Sequence, residues 1–357
     1  MSRIRSRFRR RPTRAASVLA TTLGVATLAA CGSQPVQPAA KTPTAVAKTP
    51  TPAPATPAPP PPPAPAPTIV AGATYKAPAI VQIENLNDAR PQAGLGSANV
   101  VYEYSAEAGI GRFSAIYFST PQGQVGPIRS ARLVSPVLTK QYGGSLVFSG
   151  SSQFVFGRLN AENTPRFDET SAGPDMFRVS SRYAPHNLFS DGGRVDDMVR
   201  RGARPPVGYT LWNRGGAAPG GQPALSFTVP VSPSEQPTFS WRSELNGWQR
   251  TEPDTGLFID ANGNKPVIAG TVVVMQVQAG LNPNDIESGC CTTGWEYLLS
   301  GNGPVQVFTG GTMYTGAWSE PAAGGPPQFT VSGVPAPIGA GLVWICLVPS
   351  GQPATPH

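Results

Sequence analysis

A proline-rich segment sets the first limit on how this chain can fold. From Gly32 to Pro67 the sequence consists mainly of Pro, Ala and Thr, with an unbroken proline run at residues 59–63. Proline fixes φ and favours polyproline II, and no apolar periodicity here could build a core. We therefore expect an extended spacer, which at ~3.1 Å per residue spans up to about 100 Å.

The segment before this spacer has the parts of a lipoprotein signal. Residues 2–14 are polar and Arg-rich, residues 15–30 are small and apolar, and the sequence Leu28-Ala29-Ala30-Cys31 follows. The apolar stretch is shorter than the ~20 residues of a membrane span, but it suits a signal peptide. The pattern predicts cleavage before Cys31 and lipidation of its thiol. The mature chain would then be lipid-anchored on the extracytoplasmic face of a bacterial membrane.

The positive net charge belongs to the leader and not to the folded part. The formal net charge is +7, and seven of the 27 basic residues lie in residues 1–30, which contain no acid. The rest of the chain balances 20 basic against 20 acidic residues. A basic surface for nucleic acid is therefore not expected. No phosphate-binding loop, dinucleotide motif or zinc spacing occurs either. We expect no nucleic-acid partner, no metal and no cofactor.

The remaining chain predicts an α+β protein with two domains. The first alternates short strands with helical patterns, as in a mixed α/β domain, and includes a predicted helix at Ser130–Tyr142. The second has short strands separated by turn pairs, typical of a mainly-β sandwich or partly open barrel. The predicted segments are the signal peptide 1–30, the lipidated Cys and stalk 31–77, the α/β domain 78–205, a linker 206–223, the mainly-β domain 224–349 and a tail 350–357. The second domain's predicted strands are Ala224–Val229, Thr238–Ser243, Gly256–Asp260, Thr271–Gln278, Trp295–Leu299, Val305–Phe308, Gln328–Val331 and Leu342–Val348.

Three cysteines remain after the lipidated one: Cys290, Cys291 and Cys346. Outside the cytoplasm a disulfide is the default state of such residues. Cys346 lies in the last predicted strand, so we expect Cys290 or Cys291 to bridge to it. A vicinal bridge between Cys290 and Cys291 is the alternative.

The first domain contains a series of short motifs: Ile83-Glu84-Asn85, Ala89-Arg90-Pro91-Gln92-x-Gly94-Leu95, Val100-Val101-Tyr102-Glu103, Glu107-Ala108-Gly109-Ile110-x-Arg112-Phe113, Val125-Gly126-Pro127-Ile128-Arg129-Ser130-Ala131-Arg132 and Pro185-His186-Asn187-Leu188. In their order and spacing these motifs resemble the YerB-like family of bacterial lipoproteins, a two-domain family of unknown function. The resemblance covers about Pro78–Pro349 and implies a fold and a location more than an activity. The chain departs from the family pattern at Glu84, where Asp is usual, and at Ala108, where Gly is usual. Thr251–Asp260 also lacks a His that the family tends to carry.

Charged and polar residues of the first domain predict a ligand site. Arg129 and Arg132 are three residues apart at a predicted helix start, so their planar guanidinium groups can point the same way. A helix N-terminus would add free N–H groups for an anion. The alternative for these two residues is a buried Glu–Arg network that orders the fold, and for Arg90 structural bracing is favoured. The candidate ligand-binding residues are Arg112, Arg129, Ser130, Arg132, Asn85 and Arg90.

Three further residues are candidates for catalysis. Glu103 and Glu107 could form a carboxylate pair for glycan cleavage, and His186 could be a general acid or base. The alternatives are salt bridges for the two glutamates and a hydrogen-bonded loop for His186. Because no complete catalytic constellation is present, the sequence favours a non-enzymatic binding module for a cell-wall polymer or an envelope protein. An envelope glycan or peptide hydrolase that uses Glu103, Glu107 and His186 is the alternative function.

Overall fold

The computed structural model describes residues 76–208, 211–212, 218–287 and 292–357. The predicted signal peptide, Cys31, almost all of the stalk, part of the linker, Cys290 and Cys291 lie outside these residues. All the described residues fall in one compact unit, Pro59–His357. Within this part of the chain, no helix combines the length and the apolar character needed to cross a bilayer.

Helices occur in the first half of the described chain, and the second half is mostly strand. The α-helices are α1 Val134–Tyr142, α2 Gln153–Ala161, α3 Glu169–Ala172 and α4 Gly192–Gly202. Short 3-10 helices cover Asn87–Ala89, Leu95–Ser97, Glu107–Gly109, Gly173–Asp175 and Ser243–Leu245. The first-half strands are β1 Ala79–Glu84, β2 Val100–Ser105, β3 Gly111–Tyr117, β4 Gln124–Val125, β5 Ser145–Val147, β6 Arg166–Phe167, β7 Phe177–Arg178 and β8 Leu188–Asp191. The second-half strands are β9 Gln222–Pro223, β10 Ser226–Thr228, β11 Thr238–Arg242, β12 Gly247–Glu252, β13 Gly256–Leu257, β14 Ile259–Asp260, β15 Lys265–Pro266, β16 Ile268–Ala269, β17 Thr271–Val277, β18 Ala279–Ile286, β19 Thr293–Tyr297, β20 Asn302–Thr309, β21 Thr312–Ser319, β22 Gln328–Val331, β23 Val334–Pro335, β24 Val343–Pro349 and β25 Thr355–Pro356.

One sheet of twelve strands runs through both halves of the described chain. Its order is β23-β22-β21-β20-β17-β24-β2-β3-β1-β5-β6, with β9 paired to β21. The halves meet where β24 pairs in parallel with β2, in a register that places Glu103 opposite Cys346. The two segments predicted as domains therefore share a continuous backbone ladder.

The large sheet is covered on both faces. On one face, α1 and α2 pack over a buried cluster that includes Tyr102, Leu138 and Ile345. On the other face lies a smaller sheet, β13-β12-β11-β10-β25 with β16 on β12, whose Phe227 ring stacks on Phe308 of the large sheet. Side chains alternate along each strand, so a single strand supplies both layers. The described sheets are open and form no closed barrel, and the predicted α+β class is confirmed.

Helix α1 starts later than predicted, at Val134 rather than Ser130. The backbone before it is bound to β1 instead, because Arg129 N–H donates to the carbonyl of Gln82 at 2.9 Å. The Arg132 N–H then donates to the side chain of Ser135 at 2.9 Å. Arg129 and Arg132 therefore lie ahead of the helix and not in its first turn. Their predicted role in binding a ligand stays a prediction.

Candidate functional site

A pocket of about 360 Å³ opens where residues from both halves of the chain meet. Asn85, Arg90 and His186 line it from the first half, and Glu235 and Glu252 line it from the second. Except for the half-buried Arg90, these side chains are buried, so their positions are fixed before any ligand arrives. These five residues define what is hereafter termed the Glu235 pocket.

Asn85 joins the two halves at the base of the pocket. It follows directly after β1, and its amide N–H donates to Glu235 Oε1 at 2.9 Å. Its amide oxygen accepts from Arg90 Nε at 3.2 Å and from Gln92 Nε2 at 3.0 Å. Because all these partners are largely buried, the amide is held in one orientation. Asn85 therefore forms part of the pocket wall, and its side-chain oxygen already accepts two hydrogen bonds from the protein.

Arg90 braces the same wall. Its guanidinium forms ion pairs with Glu252 at 3.0 Å and with Asp254 at 3.0 Å. It also donates to Asn87 Oδ1 at 2.9 Å and to the Asn85 carbonyl at 3.2 Å. A guanidinium has five N–H donors, and these contacts, together with the bond from Nε to Asn85 Oδ1, engage all three of its nitrogen atoms. The favoured prediction of bracing for Arg90 agrees with this geometry.

Arg250 lies behind the pocket and is 1% exposed. It projects from β12 and forms ion pairs with Glu103, Glu235 and Glu252. Its guanidinium carbon lies 4.5 Å from the centre of the Phe258 ring, which adds a cation–π contact. Burial by itself would lower the pKa of Arg250, but the three carboxylates outweigh it and raise that pKa. The guanidinium is therefore permanently charged and depends on its carboxylate partners.

Glu235 and Glu252 form a coupled pair of carboxyl groups. Burial, followed by the nearby charges of Glu103 and Glu252, raises the pKa of Glu235 to about 8 against the opposing effect of Arg250. Burial also acts to raise the pKa of Glu252, but Arg250 and Arg90 outweigh it and lower that pKa. Oε2 of Glu252 is buried and accepts no hydrogen bond from an N–H group of the described residues. The raised pKa favours the protonated form of Glu235 at neutral pH, and a protonated Glu235 can donate a hydrogen bond to Glu252.

His186 is oriented on the pocket wall by Glu84. The Nδ1 atom of His186 lies 2.9 Å from Glu84 Oε2, and Arg129 Nε donates to the other carboxylate oxygen at 3.0 Å. The backbone N–H of His186 donates to the carbonyl of Tyr183, whose ring packs edge-on at 5.4 Å. In the tautomer with its hydrogen on Nδ1, the His186 ring can donate to Glu84 Oε2. Arg129 thus acts on the pocket through Glu84.

A second cluster lies around Glu107 and holds Arg132 and Arg112. Arg132 binds the Glu107 carboxylate through Nε and Nη2, at 2.8 and 2.6 Å. The buried Arg112 has its Nη2 3.7 Å from Glu107, and its Nε and Nη1 bond to no residue that the structure describes. Burial and the nearby Arg132 lower the pKa of Arg112 to about 10. Arg132 therefore fits the alternative of a buried Glu–Arg network. Ser130, another predicted ligand-binding residue, is half-buried and directly follows Arg129 in sequence.

The structure does not bring Glu103 and Glu107 together with His186 in one open site. Glu103 is fully buried, accepts from Trp344 Nε1 at 2.7 Å and pairs with Arg250. Glu107 pairs with Arg132 in the other cluster. His186 alone of the three lines the pocket. Both glutamates therefore fit the salt-bridge alternative, and the predicted carboxylate pair for glycan cleavage is not assembled.

Cys346 is a free thiol and does not form the predicted bridge to Cys290 or Cys291. It lies in β24 with its Sγ 3.7 Å from Glu103 Oε2, and no part of it is exposed. Burial, then the charge of Glu103, raises the pKa of this thiol well above its usual range. The strand turns the Cys346 side chain into the core. The alternative bridge between Cys290 and Cys291 lies outside the described residues.

Sequence reasoning missed Glu235, Glu252 and Arg250 as site residues. In β12 the buried positions are taken by Trp248, Arg250 and Glu252, which alternate with more exposed neighbours. This period of two was the available signal, but charged residues at two of the buried positions kept the segment out of the predicted strands. Across the described ranges, no group of three or more His, Cys, Asp or Glu side chains is placed to hold a metal ion.

Comparison with known proteins gives matches along most of the chain. Residues 67–204 match the family described as "Protein of unknown function (DUF3048) N-terminal domain", and residues 227–345 match the C-terminal domain of the same family. "Putative lipoprotein YerB" of Bacillus subtilis (strain 168) is 33% identical over 143 residues. That match spans 39% of this chain and 40% of the relative's length. The crystal structure of YerB from Bacillus subtilis superposes with a TM-score of 0.67 at 21% identity, over 79% of this chain and 94% of that one. At this identity the superposition shows a shared fold.

Proposed function

Because this chain belongs to the DUF3048 family in both its N-terminal and C-terminal domains, we propose that it is a lipoprotein that binds a cell-envelope ligand. It is anchored through Cys31 on the extracytoplasmic face of a bacterial membrane. The relative's name and the signal sequence that ends before Cys31 support the anchor. The stalk then holds the folded part away from the bilayer.

The observation that carries the binding role is the Glu235 pocket itself. Its polar side chains are buried and already oriented by partners on both halves of the chain. Such preorganisation lowers the entropy cost of binding a ligand. The two carboxyl groups predicted to cut a glycan are committed to arginines elsewhere, so we propose binding without catalysis. The proposed ligand is a cell-wall polymer.

Replacing the predicted lipidated residue tests the anchor. Full-length Cys31→Ser, produced in a bacterium, is expected to move almost completely from the detergent phase to the aqueous phase on phase partition. The reason is that the acyl chains on this thiol supply the membrane affinity. Ser33→Ala, two residues further on, is the matched control and is expected to stay in the detergent phase. A Cys31→Ser chain that remains in the detergent phase contradicts the anchor.

Two tryptophan substitutions on one loop test the pocket. Ser234 is exposed and lines the pocket, whereas Gln236 is exposed on the same loop and lies outside it. Ser234→Trp is expected to weaken co-sedimentation with purified wall polymer by about tenfold or more, equivalent to ~1.4 kcal/mol. Gln236→Trp is expected to bind as the parent does. The loss of the Ser234 hydroxyl is tolerable because Ser232 donates to the same Gly109 carbonyl at 2.7 Å.

The same experiment separates binding from hydrolysis. The supernatant of each sample is analysed for soluble polymer fragments, at low and at high salt. We expect bound protein and no released fragments. Equal binding by the two tryptophan variants would remove the pocket from the proposal, and fragments released by the parent chain would make it an enzyme.

A further inference from the structure

The charges of the Glu235 pocket favour one class of ligand group. Four acidic side chains line the pocket, Asp88, Glu235, Glu252 and Asp254, against one guanidinium, that of Arg90. All three nitrogen atoms of this guanidinium already contact acceptors on neighbouring residues. An anionic ligand group would therefore be repelled by the carboxyl groups. Among the described lining residues, no guanidinium nitrogen is left without an acceptor to bind it. A ligand group that donates hydrogen bonds and carries positive charge fits this wall.

A buried oxygen on the same wall points to the same class. Only 1% of the Glu252 side chain is exposed, and its Oε1 is bound by Arg250 and Arg90. Its Oε2 accepts no hydrogen bond from an N–H group of the described residues. A buried acceptor normally has a hydrogen-bond donor as its partner, so we expect a donor between Glu252 and Glu235. A proton on Glu235 supplies one donor, and an ammonium group supplies three.

The surroundings of Glu235 are set by both halves of the chain. Asn85 and Arg90 face it from the segment after β1, at 2.9 and 3.6 Å. Arg250 and Glu252 face it from β12, and Glu103 acts on it from β2. Three carboxyl groups, those of Glu235, Glu252 and Glu103, face two guanidinium groups, those of Arg90 and Arg250. One bound proton would neutralise the remaining negative charge. A ligand cation at this position can neutralise the same charge.

We propose that the Glu235 pocket binds the primary ammonium group of an envelope ligand, which replaces the proton held between Glu235 and Glu252. This inference rests on the proposed function and names the ligand chemistry for its site. In the exchange, the Glu235 carboxylic acid releases its proton to solvent, and the carboxylate then accepts hydrogen bonds from the R–NH₃⁺ group. One proton leaves for each ammonium bound, so the charge of the pocket is unchanged. An amino sugar and a lysine-like side chain both carry this group.

Calorimetric titration of the full chain in detergent tests the exchange with matched small molecules. The amino-sugar pair is glucosamine and N-acetylglucosamine, and the amino-acid pair is Nα-acetyl-lysine and its Nε-acetylated form. Each pair differs in one ammonium group. At least one free amine is expected to bind about tenfold or more tightly than its acetylated form. Titration in two buffers of different ionisation enthalpy is expected to show release of close to one proton.

Two variants locate the effect. Glu235→Gln removes the exchangeable proton, so it is expected to abolish proton release and to weaken amine binding by about tenfold. Glu244→Gln changes an exposed glutamate outside the pocket and is expected to behave as the parent. The amine that binds better identifies the source, an amino sugar or a basic side chain.

The outcomes separate this inference from the proposed function. Equal binding of free and acetylated amines, or no binding of any of the four, overturns the ammonium assignment. The loss of polymer binding in Ser234→Trp would then still support a polymer site. Amine binding by a chain that does not co-sediment with polymer would keep the ammonium site and overturn the polymer as its ligand.

Discussion

Arg250→Met is expected to lower the free energy of unfolding by about 3–5 kcal/mol, the usual cost of breaking a buried ion pair by removing one partner. Methionine keeps much of the side-chain volume against Phe258 but removes the guanidinium, which among the described residues is the only cation within hydrogen-bond distance of Glu103. Glu103 would be left fully buried without this ion-pair partner, and the Trp344 indole and the Cys346 thiol would remain as its donors. Equilibrium urea unfolding of the folded part measures the change.

Two companion variants separate the lost charge pair from lost packing. Arg242 is exposed and lies next to β12 on β11, so Arg242→Met is expected to change stability by no more than about 0.5 kcal/mol. Adding Glu103→Gln to Arg250→Met removes the unpaired charge and is expected to recover part of the loss. A single Arg250→Met variant as stable as the parent would show that the buried pair does not hold the halves together.

The apolar strands of this fold could be predicted from sequence because their own residues show that they are buried. Thr271–Gln278 is a mostly apolar run and Leu342–Val348 a continuous one, and they form the central strands β17 and β24. A strand buried on both faces needs such a run, whatever it pairs with. The helical pattern that ends at Tyr142 was readable in the same way. These elements depend on neighbours in sequence and not on distant partners.

The polar site could not be predicted in the same way, because its pairs are distant in sequence. Glu103 and Arg250 are 147 positions apart, and Asn85 and Glu235 are 150 apart. The sequence next to either partner does not indicate that its polar or charged side chain will be buried. Strand β12 was missed for this reason, since its buried positions hold Arg250 and Glu252. The family resemblance included Arg90 and His186 among its motifs, but only the fold places both on one pocket.

Pairing with residues distant in sequence also explains why Arg129 and Arg132 do not lie at the start of helix α1. Their spacing of three is compatible with a helix start, but the backbone hydrogen bond from Arg129 to Gln82 is a contact made across the sheet. Once that bond forms, the two guanidinium groups separate to different carboxylates, Glu84 and Glu107. Local spacing predicted that the two guanidinium groups point the same way, whereas long-range pairing places them in two clusters.

The parent chain is expected to lose stability as pH rises from about 5 to about 8. Glu235→Gln is expected to remove this loss. The folded-state pKa of Glu235 is raised to about 8 from an ordinary value of 4.5. Between these two values the folded state binds more protons than the unfolded state, so stability falls as pH rises. The shift corresponds to an upper limit of roughly 5 kcal/mol, and coupling to Glu252 reduces the expected loss to roughly 2–4 kcal/mol.

Glutamine keeps the shape of Glu235 and can donate to Glu252, but it cannot ionise. The difference between the two stability curves, measured by urea unfolding at several pH values, therefore isolates Glu235 from other groups that titrate in both chains. The expected difference favours the variant increasingly toward pH 8. Glu252 acts in the opposite sense, because its lowered pKa makes its contribution disappear only in acid, below the ordinary value near 4.5. Parallel curves for parent and Glu235→Gln across this range would mean that Glu235 is ionised at neutral pH, and the pocket would then hold no proton to exchange.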